Sequence, residues 1–482
     1  MDTTSTSPES AHAKLGLWDA VSIIVGIIIG VGIFQTPNMI FSRVPHPAYA
    51  IGLWVLGGVL AFIGALCFAE LASAYPRSGG EYVYLTRAFG RLTGFLFAWS
   101  QLSVTRTGSI AGMAYIFGLH LATLFGRADN STLIFVLAGL SVILLTAINV
   151  IGVRMGTRTQ NVLTAAKVLG LAALVVVGFV WADPNAVVAA NPAPVEGVWF
   201  ASAMIFVLWA YSGWHEAAYI VAEAKNHTRN IPLALMIGTL IVTAIYVMVN
   251  LALLYGLDFV GAQDKNATEN LIELAWPTYG ARVMSVLIVI SALGAINGMI
   301  FTTARIYSEF GKDHRIFRAL SHWSKTLHTP ARALVIQGGI CVAMIAGVWF
   351  LGGGENSFDK TVKFTVAVFW SFFCLTGVSL IVLRERDAQT PRPFRVPGYP
   401  VLPIIFAAWC AYIVAGTIIE DYQNHSPESL VGVGILLVGL PLYFLPQKLR
   451  SNPPDDSRSQ TPFGSAPRET PFHVPSIDDH RS

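Results

Sequence analysis

Two apolar runs long enough to cross a bilayer are interrupted near their middles, one by Gly30-Val31-Gly32 and the other by Ala210-Tyr211-Ser212-Gly213. Hydrocarbon offers no partner to a backbone N–H or C=O, so a helix broken at membrane depth must line a cavity or be covered by protein. Many secondary transporters build their substrate site from two such breaks at matching places in two halves. The pattern excludes a simple bundle of continuous spans and predicts a central site built from main chain.

Composition places the breaks in a membrane protein. Hydrophobic residues make up 54% of the 482 and charged residues 12%, about half the roughly 25% charged of soluble domains. Runs of about 20 apolar residues recur through the chain and predict about twelve spans joined by short loops, the interrupted ones at 20–40 and 198–221. No small-residue cleavage site follows the first run, so it is expected to stay in the mature protein. With the N-terminus inside, the loops carry 19 Lys and Arg on that side against 6 outside, which predicts an even number of spans and cytoplasmic termini. The expected organisation is a cytoplasmic tail over 1–14, a polytopic domain over 15–445 and a disordered cytoplasmic tail over 446–482, rich in Pro, Ser, Asp and Arg.

Ionisable groups inside spans are expensive and mark cavities or pairs. Arg106, Lys167 and Glu216 stand well inside; Glu70, Glu223 and Arg305 lie close enough to span ends to snorkel. Lys167, followed by nearly a whole helix of apolar residues, favours a functional role over a structural ion pair. Arg106, among Thr105, Thr107 and Ser109, favours a packed polar network. Gly26 and Gly30 also have the G-x-x-x-G spacing of close helix packing, yet packing alone does not predict a second break five spans later. The four cysteines, Cys67, Cys341, Cys374 and Cys410, fall inside spans and give no disulfide framework or zinc site. No nucleophile–base pair or metal-ligand set is evident beyond Glu216 with His215 beside it, so enzymatic activity is not expected, and neither is a cofactor or metal.

The stretches IIVGIIIGVGIFQTP, FAELASAYPRSGGEYVYLTRAFG, LWAYSGWHEAAYIVAE, SALGAINGMIFTTAR and RPFRVPGYPVLP resemble the amino acid–polyamine–organocation superfamily, most closely its L-type amino acid transporters and their bacterial relatives. The resemblance runs from about Leu15 to Tyr443. It implies an all-α LeuT-like fold with a five-plus-five inverted repeat and two additional C-terminal helices, and an alternating-access carrier or exchanger of neutral amino acids. In similar proteins the substrate carboxylate meets backbone N–H groups at the first break, here Gly30, Val31 and Gly32, and the amine meets carbonyls, here of Ile28, Trp209 and Ser212. Trp209 falls where relatives close an aromatic ring over the substrate; Ala210 and Ser212 would border the side-chain pocket, which Trp370 would approach. Val31 replaces the serine of the usual Gly-Ser-Gly, removing a hydroxyl and keeping the N–H. Lys167 aligns with a lysine occupying, in relatives, the region of a coupling sodium ion, which implies sodium-independent transport. Animal relatives bind a glycoprotein heavy chain through an outer-loop cysteine that the 126–132 loop lacks, so no disulfide-linked heavy chain is expected and a bacterial inner membrane is the implied home. A transporter-like sensor that binds an amino acid without moving it is the alternative.

Overall fold

The computed structural model describes residues 15–181, 199–324, 326–350, 357–423 and 428–444. The expected tails at 1–14 and 446–482 lie outside the described residues. The chain is nearly all helix. It opens with α1 (Leu17–Ile28) and α2 (Gly32–Phe41), bent by 48° at the Gly30-Val31-Gly32 break. Then follow α3 (Pro47–Ala74), a short α4 (Glu81–Phe89), and α5 (Arg91–Ser100) and α6 (Arg106–Leu124), joined through a π-helical turn at Gln101–Thr105. α7 (Ser131–Ile151) and α8 (Val153–Val180) complete the first half.

The second half starts with α9 (Trp199–Ala210), which gives way after the second break to a 3-10 helix, Trp214–Glu223. α10 (His227–Gly261), a short α11 (Ala267–Glu273), α12 (Gly280–Asp313), α13 (Ala331–Phe350) and α14 (Ser357–Arg386) follow, and α15 (Val401–Gln423) and α16 (Glu428–Phe444) stand at the C-terminal end. Among the described residues nine helices are long and apolar enough to span a membrane, ten if the bent α1–α2 pair is one span. The count falls short of twelve for a physical reason. The sixth expected span is split into a 12-residue helix and a 10-residue 3-10 helix, and α16 has only 17 residues.

The broken segments sit in the middle of the bundle. α1 packs on α8, α10 and α12, and α2 on α9. Lipid-compatible faces lie outside: Val162, Leu169 and Val176 of α8 are exposed, while Lys167 on the same helix is buried. Gly26 permits the close α1–α8 approach, since a Cβ there would fall 2.1 Å from Gln160 Nε2 and 2.2 Å from Thr164 Oγ1. The G-x-x-x-G pair therefore divides its labour, Gly26 serving packing and Gly30 standing in the break. The ends of the two broken segments are stitched together as well, with Leu15 N–H donating to Glu223 O (3.0 Å) and Lys225 N–H to Leu15 O (2.9 Å).

Candidate functional site

Helix α1 stops because Ile29 leaves the helical region (φ −73°, ψ 75°), the conformation of an inverse γ-turn, and Gly30 N–H closes that turn on Ile28 O at 2.7 Å. Val31 and Gly32 N–H find no backbone acceptor among the described residues and stand at the N-terminus of α2, where the helix dipole favours negative charge. Close approach makes Gly32 necessary: a Cβ there would sit 2.9 Å from the Trp209 ring and 3.4 Å from Ala210 Cα. At the second break Gly213 has φ +114°, a conformation L residues rarely adopt, and turns the chain from α9 into the 3-10 helix.

Carbonyls freed at the breaks are satisfied by side chains from neighbouring helices. The Tyr246 hydroxyl on α10 lies 2.8 Å from Ile28 O and 3.1 Å from Ala210 O, so one group bridges both breaks. Ser291 Oγ on α12 lies 3.0 Å from both Ile29 O and Gly30 O. Lys167 Nζ donates to Gly26 O (2.8 Å), Ile29 O (2.6 Å) and Ser291 O (3.0 Å). Its three donors thus meet three carbonyls, and the ammonium is saturated without a carboxylate partner. The Trp209 carbonyl accepts from Ser212 N–H (3.1 Å) and Ser212 Oγ (2.8 Å), so it and the Ile28 carbonyl already carry bonds within the protein.

One cavity of about 80 Å³ lies between the breaks, lined by Ile28, Gly30, Gly32, Trp209, Ala210, Ser212, Gly213 and, from α6 and α14, Met113, Phe369 and Trp370. A single water needs roughly 10–15 Å³ by such a measure, so the space takes several waters or one small molecule. Val31 and Lys167 do not line it: Val31 is fully buried, and Lys167 bonds the Ile29 carbonyl at the first break.

The far wall is polar. Arg106 Nη1 donates to Glu216 Oε1 at 2.6 Å, and the Thr302 hydroxyl donates to Glu216 Oε2. His215 Nε2 lies 3.4 Å from Arg106 Nη2 and 3.8 Å from Glu81 Oε1, and the Tyr219 hydroxyl donates to that Glu81 oxygen at 3.0 Å. The polar surroundings of Arg106 are present: Thr105 Oγ1 and Thr107 Oγ1 donate to Ser100 O (3.2 Å) and Leu102 O (3.1 Å), carbonyls loosened by the π-helical turn. Sequence reasoning singled out Arg106 and Glu216 separately but did not pair them. Their opposite charges inside two different spans were the available signal. It missed Tyr246 and Ser291 altogether: a serine in an apolar run commonly bonds its own helix, and a tyrosine there reads as an ordinary packed aromatic.

Residues 15–440 match the family model described as amino acid permease. The human b(0,+)-type amino acid transporter 1 is 33% identical over 90% of this chain and 88% of its own length. The serine/threonine exchanger SteT of Bacillus subtilis (strain 168) is 29% identical over 93% of this chain and 100% of its own. Among solved structures, Mhp1, a nucleobase-cation-symport-1 family transporter in a closed conformation with bromovinylhydantoin bound, superposes with a TM-score of 0.56 at 15% identity, covering 95% of this chain and 99% of that one. That likeness carries the fold: a LeuT-like transporter bundle.

Proposed function

The chain belongs to the amino acid permease family, and from that premise we propose that it is a secondary active, sodium-independent transporter or exchanger of neutral amino acids. The observation that carries the reading is a cavity closed on two sides by broken helices, with the unengaged N–H of Gly32 at a helix N-terminus against the second break and that of Val31 beside it, off the cavity. A carboxylate meets those N–H groups and the α2 dipole. The Ile28 and Trp209 carbonyls each already accept two bonds within the protein, so the amine takes the Ser212 carbonyl and meets the other two only as one of their present donors gives way. The Trp209 indole, against Gly32, closes over the bound molecule, with Ala210 bordering the side chain.

Sodium independence is supported by Lys167. Three carbonyl oxygens converge on one point at 2.6–3.0 Å, and the Lys167 amine occupies it. The family relatives named above are transporters, and the chain is read as a carrier rather than an enzyme. Its loops give cytoplasmic termini in a cell inner membrane, and without an outer-loop cysteine it works without a disulfide-linked heavy chain.

Purified protein in liposomes loaded with unlabelled amino acid tests the proposal. Labelled neutral amino acid should enter saturably, faster with internal amino acid than without, and equally in sodium and choline media. Dependence on sodium would overturn the role of Lys167. Substrate binding without counterflow would instead mark a sensor.

A further inference from the structure

Charge is unevenly spread along this chain. Segments 131–182 and 314–354 hold Arg154, Arg158, Arg315, Arg318, Lys325 and Arg332, besides the buried Lys167, and not one Asp or Glu. The fold brings the two segments together. Thr329 Oγ1 donates to Val150 O at 3.1 Å, and a Cβ on Gly152 would stand 3.9 Å from Leu327 O, so the chain leading into α13 lies across the junction of α7 and α8. Arg154 and Arg158 follow that junction, Arg332 stands in the first turn of α13, and a second 3-10 helix, Arg315–Ser321, packs on α13 beside them.

These five arginines are exposed, and none has a carboxylate partner among the described residues. The acids closest to the corner are spent elsewhere. Asp313 accepts from the Tyr82 hydroxyl at 2.7 Å, and Glu309 pairs with Lys312 and Arg77. Asp19 of α1, which packs on α8, takes Asn161 Nδ2 and Gly16 N–H, both at 2.9 Å. Arginines in other parts of the molecule have their acids: Arg305 has Glu223, and Arg384 and Arg392 share Glu70. A bias of cations toward one side of the membrane explains a surplus at this end, yet it does not explain a corner from which every carboxylate is missing.

Beside the arginines the exposed surface is apolar. Ile151, Met155, Val335 and Ile336 are exposed, and Val162, Leu169 and Val176 continue the Arg158 face down α8 at steps of four and seven residues. We propose that this corner binds an anionic phospholipid, its phosphate among Arg154, Arg158 and Arg332 and its acyl chains along the exposed faces of α8 and α13. A guanidinium meets a phosphate with two parallel hydrogen bonds, and the positive end of the α8 dipole stands at the same place. A nucleic acid or an acidic protein would satisfy the arginines and leave the apolar face next to them uncovered; a lipid covers both. The proposal needs the bilayer but not the transport reading, so its failure leaves that reading intact.

The test uses the detergent-solubilised full chain, exposed to equal amounts of phosphatidylglycerol and phosphatidylcholine and purified again, with the retained lipid counted by mass spectrometry. Phosphatidylglycerol should be retained at least about fivefold over phosphatidylcholine, the factor one arginine near an acidic headgroup supplies, and the preference should shrink in molar salt, which screens exposed charges. Arg154→Gln with Arg158→Gln and Arg332→Gln should bring the ratio toward one. Arg229→Gln with Arg395→Gln, exposed arginines outside the two segments, should leave it unchanged. Arg158→Gln alone should give part of the loss, which keeps the test open should the triple variant not fold. Equal retention of the two lipids by the parent, a preference that the triple variant keeps, or the same loss in the Arg229 and Arg395 control would each overturn the site, the last by reducing it to diffuse positive charge.

Discussion

At the residue scale the first break turns on a missing side chain. Valine at position 32 would push a branched group into the Trp209 ring, 2.9 Å from the first carbon alone, so Gly32→Val should abolish amino acid binding in a protein that still folds. Val31→Ser should be tolerated, because Val31 lies off the cavity and the substitution leaves its N–H in place. Isothermal titration with the best counterflow substrate checks both, and full binding by Gly32→Val would remove the backbone site. Trp209 is a different case. It lines the cavity against Gly32, and a ring that closes after binding affects translocation more than initial affinity. Trp209→Ala should cut the exchange rate at least tenfold with a smaller change in affinity, and an unchanged rate would reduce the indole to packing.

At the element scale, what separates a broken span from an unstable one is how its ends are tied. Tyr246 joins the two breaks through a single hydroxyl. Tyr246→Phe should cost about 1–2 kcal/mol, the value of a buried hydrogen bond and the carbonyls it leaves, and should lower exchange because the breaks lose their common anchor. Thermal unfolding in detergent and counterflow read the two effects. The 3-10 helix is fastened twice to its neighbours, by Glu216 to Arg106 and Thr302 and, seven residues on, by Glu223 to Arg305 at 2.7 and 3.1 Å. Removing one member of a buried pair strands the other, at about 3–5 kcal/mol. Glu223→Ala should therefore destabilise strongly, and Glu223→Leu with Arg305→Leu much less; equal losses would show that the ion pair is not what holds this end.

At the scale of the whole molecule Lys167 ties three helices together. From α8 it reaches α1, its break and α12 at once. Lys167→Met keeps the length and removes the three donors, so carbonyls of Gly26, Ile29 and Ser291 lose a partner. Transport should fall at least tenfold at every pH if the ammonium is a fixed cation, and should be arrested in one orientation, with a flat pH profile, if the lysine titrates during the cycle. A Lys167→Met carrier indistinguishable from the parent across pH would take Lys167 out of the mechanism.

What the sequence determined by itself was everything local. Apolar runs marked membrane helices because hydrocarbon imposes length and polarity on each span separately, and glycines marked both breaks because backbone freedom is a property of the residue. Of the seven residues expected from those breaks to bind substrate, six line one cavity, and the seventh, Val31, is buried away from it. Span number was less legible, since a broken span and a 17-residue α16 sit at the limit of what length can resolve. Only the tertiary structure decided the pairings: Arg106 with Glu216, 110 positions apart, Tyr246 with Ile28, 218 apart, and Lys167 with carbonyls 141, 138 and 124 positions away. No periodicity encodes such contacts. They exist because a buried charge or an unpaired carbonyl must find a partner wherever packing of the two halves brings one within about 3 Å.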